Sequence, residues 1–242
     1  MTAPPDAFLG GRLHLHQPPR GAHRAGTDAI LLAHLLSPRP GESLCDLGSG
    51  PGIAGLACAT LRPGLSVTLV ERDPDLAALA RANASLNALP AEVIEADVLA
   101  PGRVRAAAGL HPDSFDCVLT NPPYFEAGRY RPSPDPAKAS AHGFAAGGLE
   151  GWVRTCAGIL RPGGRLGMIH RADALPGCLA VLAGRFGGIA VRPVHPRADD
   201  PAIRILVTAV KGSRAGFSLQ PPLVLHRADG RFTPEAEALH RG

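Results

Sequence analysis

Residues 121–124 read Asn-Pro-Pro-Tyr, and Phe125 follows. Two adjacent prolines fix two φ angles and remove two backbone donors. The result is a rigid turn that offers acceptors and no competing N–H. An amide side chain, a donor-free rigid turn and an aromatic ring able to stack thus stand at one spot, so Asn121, Pro122, Pro123 and Tyr124 are candidate site residues. Taken alone, the same four residues could be a turn beside a core aromatic.

A second constellation lies upstream. Asp46-Leu47-Gly48-Ser49-Gly50-Pro51-Gly52 follows an apolar run and precedes a helical one. A dinucleotide turn wants G-x-G-x-x-G. Here the third glycine would fall at Ile53, and Pro51 lacks a donor that a pyrophosphate could use. A Gly-rich turn alone says little, since any tight strand-to-helix turn wants glycine. Glu71 ends the next apolar run, placed to accept ribose hydroxyl groups. Asp97 ends the one after, where a carboxylate can meet an adenine amino group. Each acid alone could simply cap a loop. At successive strand ends, together with the glycine turn, they read as a nucleoside site.

These groups need a frame that brings strand ends together. The runs 43–48, 67–72, 91–97, 115–124 and 165–170 read as strands, with helical runs between them. Asp73 is expected to cap the helix that follows it, with Pro74 at its first position. IAVRPVH and IRILVTAVKG form a closing pair with no helix between them, hence antiparallel. Alternating strands and helices imply a doubly wound α/β fold, here a mostly parallel seven-stranded sheet with an antiparallel edge strand. Ligands in such sheets bind at the carboxyl ends of the strands.

This order of motifs resembles the class I S-adenosylmethionine-dependent methyltransferases, which carry [ND]-P-P-[YFW] after the fourth strand. The resemblance implies S-adenosylmethionine as cofactor and a planar nitrogen as methyl acceptor, with Asn121, Pro122, Pro123 and Tyr124 as catalytic residues. The chemistry agrees. An exocyclic amine is a poor nucleophile because its lone pair is delocalised into its ring. The Asn121 side-chain oxygen and the Pro122 carbonyl can each accept one of its N–H groups while Tyr124 stacks on the ring. It implies a cofactor-binding set of Asp46, Gly48, Ser49, Gly50, Glu71, Arg72, Asp97, Val98, Asn121 and Thr27, with Asp46 toward the methionine ammonium. Residues 10–35, with Gly26-Thr27-Asp28 before an apolar helix, narrow it further. So do LRPGGRL and Arg204-Ile205-Leu206-Val207. They are similar to the bacterial enzymes that methylate adenine N6 of a valine tRNA beside the anticodon. Thr27 and Asp28 could line the cofactor pocket or only cap the helix. The alternatives for the shared pocket are protein glutamine N5 and guanine N2 of RNA. A binding protein without catalysis is a third reading, which the intact Asn121 and Tyr124 oppose.

Bulk properties fit. The chain of 242 residues is 45% apolar, with a formal net charge of +4. That suits one methyltransferase domain over 1–242: an N-terminal extension, 1–25, and a core, 26–242. A mildly basic surface fits an RNA partner. Arg12, Arg20, Arg24, Arg129, Arg131 and Lys138 are the candidate phosphate contacts. The segment 126–148, rich in Pro, Gly, Ser and Ala, reads as a functional loop. Five cysteines without a C-x-x-C suggest free buried thiols and a cytoplasmic protein. No ligand spacing suggests a metal, and no apolar stretch is long enough to span a membrane. The oligomeric state is not legible.

Overall fold

The computed structural model describes residues 4–18, 26–124 and 148–242. Strands β1 (Asp6–Phe8) and β2 (Leu13–Leu15) form an antiparallel hairpin, and helix α1 (Thr27–Leu35) follows. Strands β3 (Ser43–Leu47), β4 (Ser66–Glu71), β5 (Ala91–Glu95), β6 (Phe115–Thr120) and β7 (Leu160–Arg171) come next. They are interleaved with α2 (Ile53–Leu61), α3 (Pro74–Leu86), α4 (Gly102–Ala107) and α5 (Gly148–Ile159). The chain closes with α6 (Leu175–Leu182), β8 (Phe186–His195), β9 (Arg204–Lys211), β10 (Ser218–Leu219), β11 (Leu223–Val224) and α7 (Pro234–Arg241).

Among the described residues the large sheet has nine strands, with β8-β9-β7-β6-β3-β4-β5 as its body. The expected seven are that body. The two extra strands, β10 and β11, are two residues each and run parallel to β8 along its outer side. Strand β9 is antiparallel to both β7 and β8. The reversed strand therefore lies inside the sheet, between β7 and β8, and not at its edge. With no helix between them, β8 and β9 turn back directly, and β9 fills the place beside β7.

Side chains alternate between the faces with the period of two that a strand imposes. Leu44, Val67, Leu69, Cys117 and Leu119 pack with α1, α2 and α3 on one face. Cys45, Leu47, Val70 and Val118 pack with Trp152, Val153, Cys156 and Ile159 of α5 on the other. The register sets Leu47 beside Val70 and Thr120, and Glu71 beside Glu95. The glycine turn, Glu71, Asp97 and Asn121 thus leave from one rim of the sheet.

Helix α3 begins as expected. The Asp73 carboxylate accepts from the N–H groups of Asp75 and Leu76 at 2.9 and 3.3 Å, with Pro74 in the first turn. The N-terminal region differs from the expectation of an extension outside the core. Leu9, Leu13 and Leu15 are at most 1% exposed and belong to the first apolar layer. Burial of each leucine contributes about 1.5–3 kcal/mol. Two asparagines one turn apart, Asn83 in the last turn of α3 and Asn87 at its C-cap, fasten the hairpin. The Asn87 side chain accepts from His14 N–H at 2.8 Å and donates to His14 C=O at 2.7 Å. Asn83 does the same at His16, at 2.8 and 3.0 Å. Each amide imitates the edge of a partner strand.

Candidate active site

The glycine turn directs its amides inward. Gly48 and Ser49 N–H both donate to Val70 C=O at 2.9 Å, and Gly52 N–H donates to Ser49 C=O at 2.9 Å. Gly50 N–H donates to the Glu71 carboxylate at 2.8 Å. Pro51 has none to give, and its carbonyl accepts from Asn83 at 2.9 Å. A phosphate would find no cradle here. Gly48 has φ +76°, and a Cβ at that position would lie 2.7 Å from the Trp152 ring. The turn is thus pressed onto α5.

Asp46 is 2% exposed, and its Oδ2 accepts from Gly55 N–H at 2.7 Å. Gly55 allows that approach, since a Cβ there would meet Leu69 at 2.5 Å. Burial pushes the Asp46 carboxyl up to about 7, against the Gly55 hydrogen bond and helped by the nearby Glu71 charge. Glu71 already accepts from the backbone N–H groups of Gly50, Arg72 and Asp73. A carboxylate has about four acceptor sites, so little capacity remains for two ribose hydroxyls together. Asp97 is exposed, with Oδ1 accepting from Leu99 N–H at 2.9 Å. The carbonyl of its buried neighbour Val98 accepts from Thr155 at 2.8 Å and from Arg105 at 3.3 Å, which fixes this strand end.

Beyond β6 the chain turns through Asn121-Pro122-Pro123-Tyr124. The preceding Thr120 donates to Leu47 C=O and accepts from Trp152 Nε1, both at 2.8 Å. One tryptophan therefore steadies both the glycine turn and the base of the Asn-Pro-Pro-Tyr turn. The Asn121 side-chain oxygen is buried and has no hydrogen-bond partner among the described residues. Tyr124 Oη donates to Asp28 at 3.1 Å, and burial raises the phenol well above its ordinary value. Arg204 Nε donates to the same Asp28 oxygen at 3.0 Å, and its guanidinium lies 5.1 Å from the Tyr124 ring centre. His170 meets that ring edge-on, also at 5.1 Å, and burial lowers its basicity.

The two readings of Thr27 and Asp28 separate here. Gly26 stands at the N-cap of α1 and no side chain caps it. Asp28 turns to Tyr124 instead. Thr27 borders a cavity of about 360 Å³ with Phe8, Ile30, Phe232 and His240. Arg12 donates to the carbonyls of Thr60 and Gly242 at 3.2 and 3.0 Å. Thr60 lies at the end of α2 remote from the glycine turn, so these bonds tie Arg12 to the far side of the sheet. Arg20, Arg24, Arg129, Arg131 and Lys138, and nearly all of the loop 126–148, lie outside the described residues. Sequence reading passed over Asn83, Trp152, His170 and Arg204 as site residues. Only Arg204 carried a signal, as part of a resemblance.

Among known proteins, a family model for the methyltransferase small domain matches residues 24–133. The crystal structure of protein Atu636 from Agrobacterium tumefaciens, described as a predicted O-methyltransferase, superimposes with a TM-score of 0.74 and 36% identity. That match covers 89% of this chain and 97% of the other. The chain belongs to this methyltransferase family. S-adenosylmethionine is the cofactor of the enzyme. A tRNA1(Val) (adenine(37)-N6)-methyltransferase from Porphyromonas gingivalis is 29% identical, over 96% of this chain and 92% of its own. One of the same name from Aeromonas hydrophila is 28% identical, over 88% and 87%. The residues fit the cofactor: a turn without outward amides, acids at two strand ends and a buried carboxyl suit a cationic nucleoside without phosphate. Among the described residues no cluster of His, Cys, Asp or Glu is set to hold a metal, and no helix is long and apolar enough to cross a membrane.

Proposed function

We propose that the enzyme methylates the N6 amine of an adenine in tRNA. The observation that carries this reading is the buried, unpartnered oxygen of Asn121 at the strand end, beside an aromatic ring held in place. A buried acceptor without a donor is costly, commonly about 1–3 kcal/mol. An acceptor amine that enters the site relieves that cost. The two relatives that span nearly the whole chain, both tRNA adenine-N6 enzymes by name, support the same target.

The cofactor supplies an electrophilic methyl group on a sulfonium. Asp46 is assigned to its ammonium. Glu71, with Arg72 beside it, faces the ribose, and Asp97 and Val98 face the adenine. Gly48, Ser49 and Gly50 complete its surroundings; Thr27, assigned to the same set from the sequence, borders a separate cavity with Phe8, Ile30, Phe232 and His240. At the acceptor, Asn121 Oδ1 takes one N–H and the Pro122 carbonyl takes the other. Pro122 and Pro123 keep the turn rigid and free of competing donors. Tyr124 stacks on the base, worth about 1–3 kcal/mol. The base must be extruded to reach it. Transfer then gains chiefly from alignment, up to roughly 7–11 kcal/mol in ideal cases. The proton leaves after the transfer, so no strong base is required.

The test uses labelled S-adenosylmethionine and total RNA from a strain lacking the gene, followed by nucleoside analysis. N6-methyladenosine is expected. Label on guanine N2, on an oxygen or in a release-factor peptide overturns the reading. Asn121→Ala should remove most single-turnover transfer while cofactor affinity stays within a few fold. A variant that keeps the wild-type rate overturns the role given to Asn121.

A further inference from the structure

Tyr124 stands in a stretch that belongs to no helix or strand, after two prolines. The backbone there does little to orient its ring. Its hydroxyl has a local partner in the Asn121 side chain, and the other contacts that orient it come from distant parts of the chain. Asp28, in the first turn of α1, accepts from Tyr124 Oη at 3.1 Å and from Arg204 Nε at 3.0 Å, both on its Oδ2. Arg204 opens β9 and lies over the ring at 5.1 Å, within cation–π range. The Asp28 and Arg204 side chains are only 26% and 28% exposed, so solvent competes weakly for their bonds. Asp28 is free for this contact because Gly26, not an acidic side chain, occupies the N-cap.

We propose that Asp28 and Arg204 are positioning residues that hold the Tyr124 ring as the platform for the acceptor base. The assignment rests on the reading that Tyr124 stacks on that base. Asp28 sets the tilt of the ring through its hydroxyl. Arg204 locks Asp28 and backs one ring face, while His170 meets the ring edge-on. The pair couples the start of α1 and the entry of β9 to the acceptor site. The three residues act as a unit, and the loss of any link loosens the same ring.

Two measurements test this. The first needs no substrate. Tyrosine is present at only two positions, 124 and 130. In NMR spectra of protein labelled on tyrosine rings, with Tyr130→Phe to assign the signals, Asp28→Asn and Arg204→Lys should each shift the Tyr124 resonances. Lysine keeps the charge but lacks the planar fork. Unchanged resonances overturn the clamp whatever the substrate proves to be. The second is kinetic. Asp28→Asn and Tyr124→Phe should each lower kcat/KM for RNA by about ten- to a hundred-fold, the range for a misplaced reactant. Cofactor affinity should stay within about two-fold. The double variant should be no worse than the poorer single one, since both cut one link. Fully additive losses overturn the clamp. A wild-type enzyme that modifies no adenine overturns the substrate reading and leaves the NMR result to decide the clamp.

Discussion

At the scale of the residue, Asp46 has the clearest pH signature. In the folded protein its carboxyl keeps a proton up to about pH 7. In the unfolded chain it does so only to about pH 4. The native state therefore binds the extra proton between those limits, and this group's share of stability falls as pH rises from about 4 to about 7. A bound ammonium favours the ionised form and expels the proton. Affinity for S-adenosylmethionine should therefore rise with pH up to about 7 and level off above it. Asp46→Asn should flatten that dependence. Calorimetric titrations across pH 5.5–8.5 check this (roughly 1.5 units to either side of the expected midpoint), and a wild-type affinity without pH dependence would refute it. Much of this chemistry was legible in the chain. Asn121, Tyr124, Glu71 and Asp97 follow strands, so local pattern placed them on one rim. Asp28 with Tyr124, and Gly48 with Trp152, were not legible. Those pairs lie 96 and 104 positions apart, and no periodicity reports a contact that the tertiary fold creates.

At the scale of the element, the clasp between α3 and β2 is the feature to perturb. Asn83 is fully buried in the last turn of α3, and a buried polar residue needs partners. It finds them in His16 and in Pro51 of the glycine turn. Asn87 touches only the hairpin backbone and its own helix. Asn83→Ala should therefore weaken both folding and cofactor binding, with about 1–3 kcal/mol lost for the carbonyl left unpaired. Asn87→Ala should lower stability with little change in cofactor affinity. Denaturant unfolding beside calorimetry separates the two. Equal effects of both variants on the cofactor would mean that the hairpin, not Asn83, shapes the turn. The alternation of Leu13 and Leu15 around His14 was a readable strand signal, but three residues are too few to stand out. The order β8-β9 was foreseen as a pair. Its insertion beside β7 was not, because nothing local says on which side a hairpin returns.

At the scale of the molecule, all five cysteines are free and buried, spread over both faces of the sheet. Burial pushes the thiols of Cys58 and Cys156 up to about 12 and those of Cys117 and Cys178 up to about 11. Only thiolates attack alkylating reagents readily. Labelling of the native protein should therefore be slow and should report unfolding as a whole. S-adenosylmethionine at 100 times its dissociation constant should slow that labelling about a hundred-fold, equivalent to about 2.7 kcal/mol. Rapid labelling of one thiol in the presence of cofactor would reveal a local opening.

The inward-facing amides of the glycine turn carry a consequence for selectivity among adenine nucleotides. Adenine and ribose are shared by ATP, ADP and NAD, so recognition of those parts alone would leave the pocket open to competitors. A turn whose amides are all committed internally gives a phosphate chain nothing in return for its lost hydration, while Glu71 repels it. Discrimination arises here from an interaction withheld. Adenosine should therefore compete with S-adenosylmethionine, and ADP should compete far more weakly despite carrying the same nucleoside. Equal inhibition by the two would show that the turn reorganises to expose its amides.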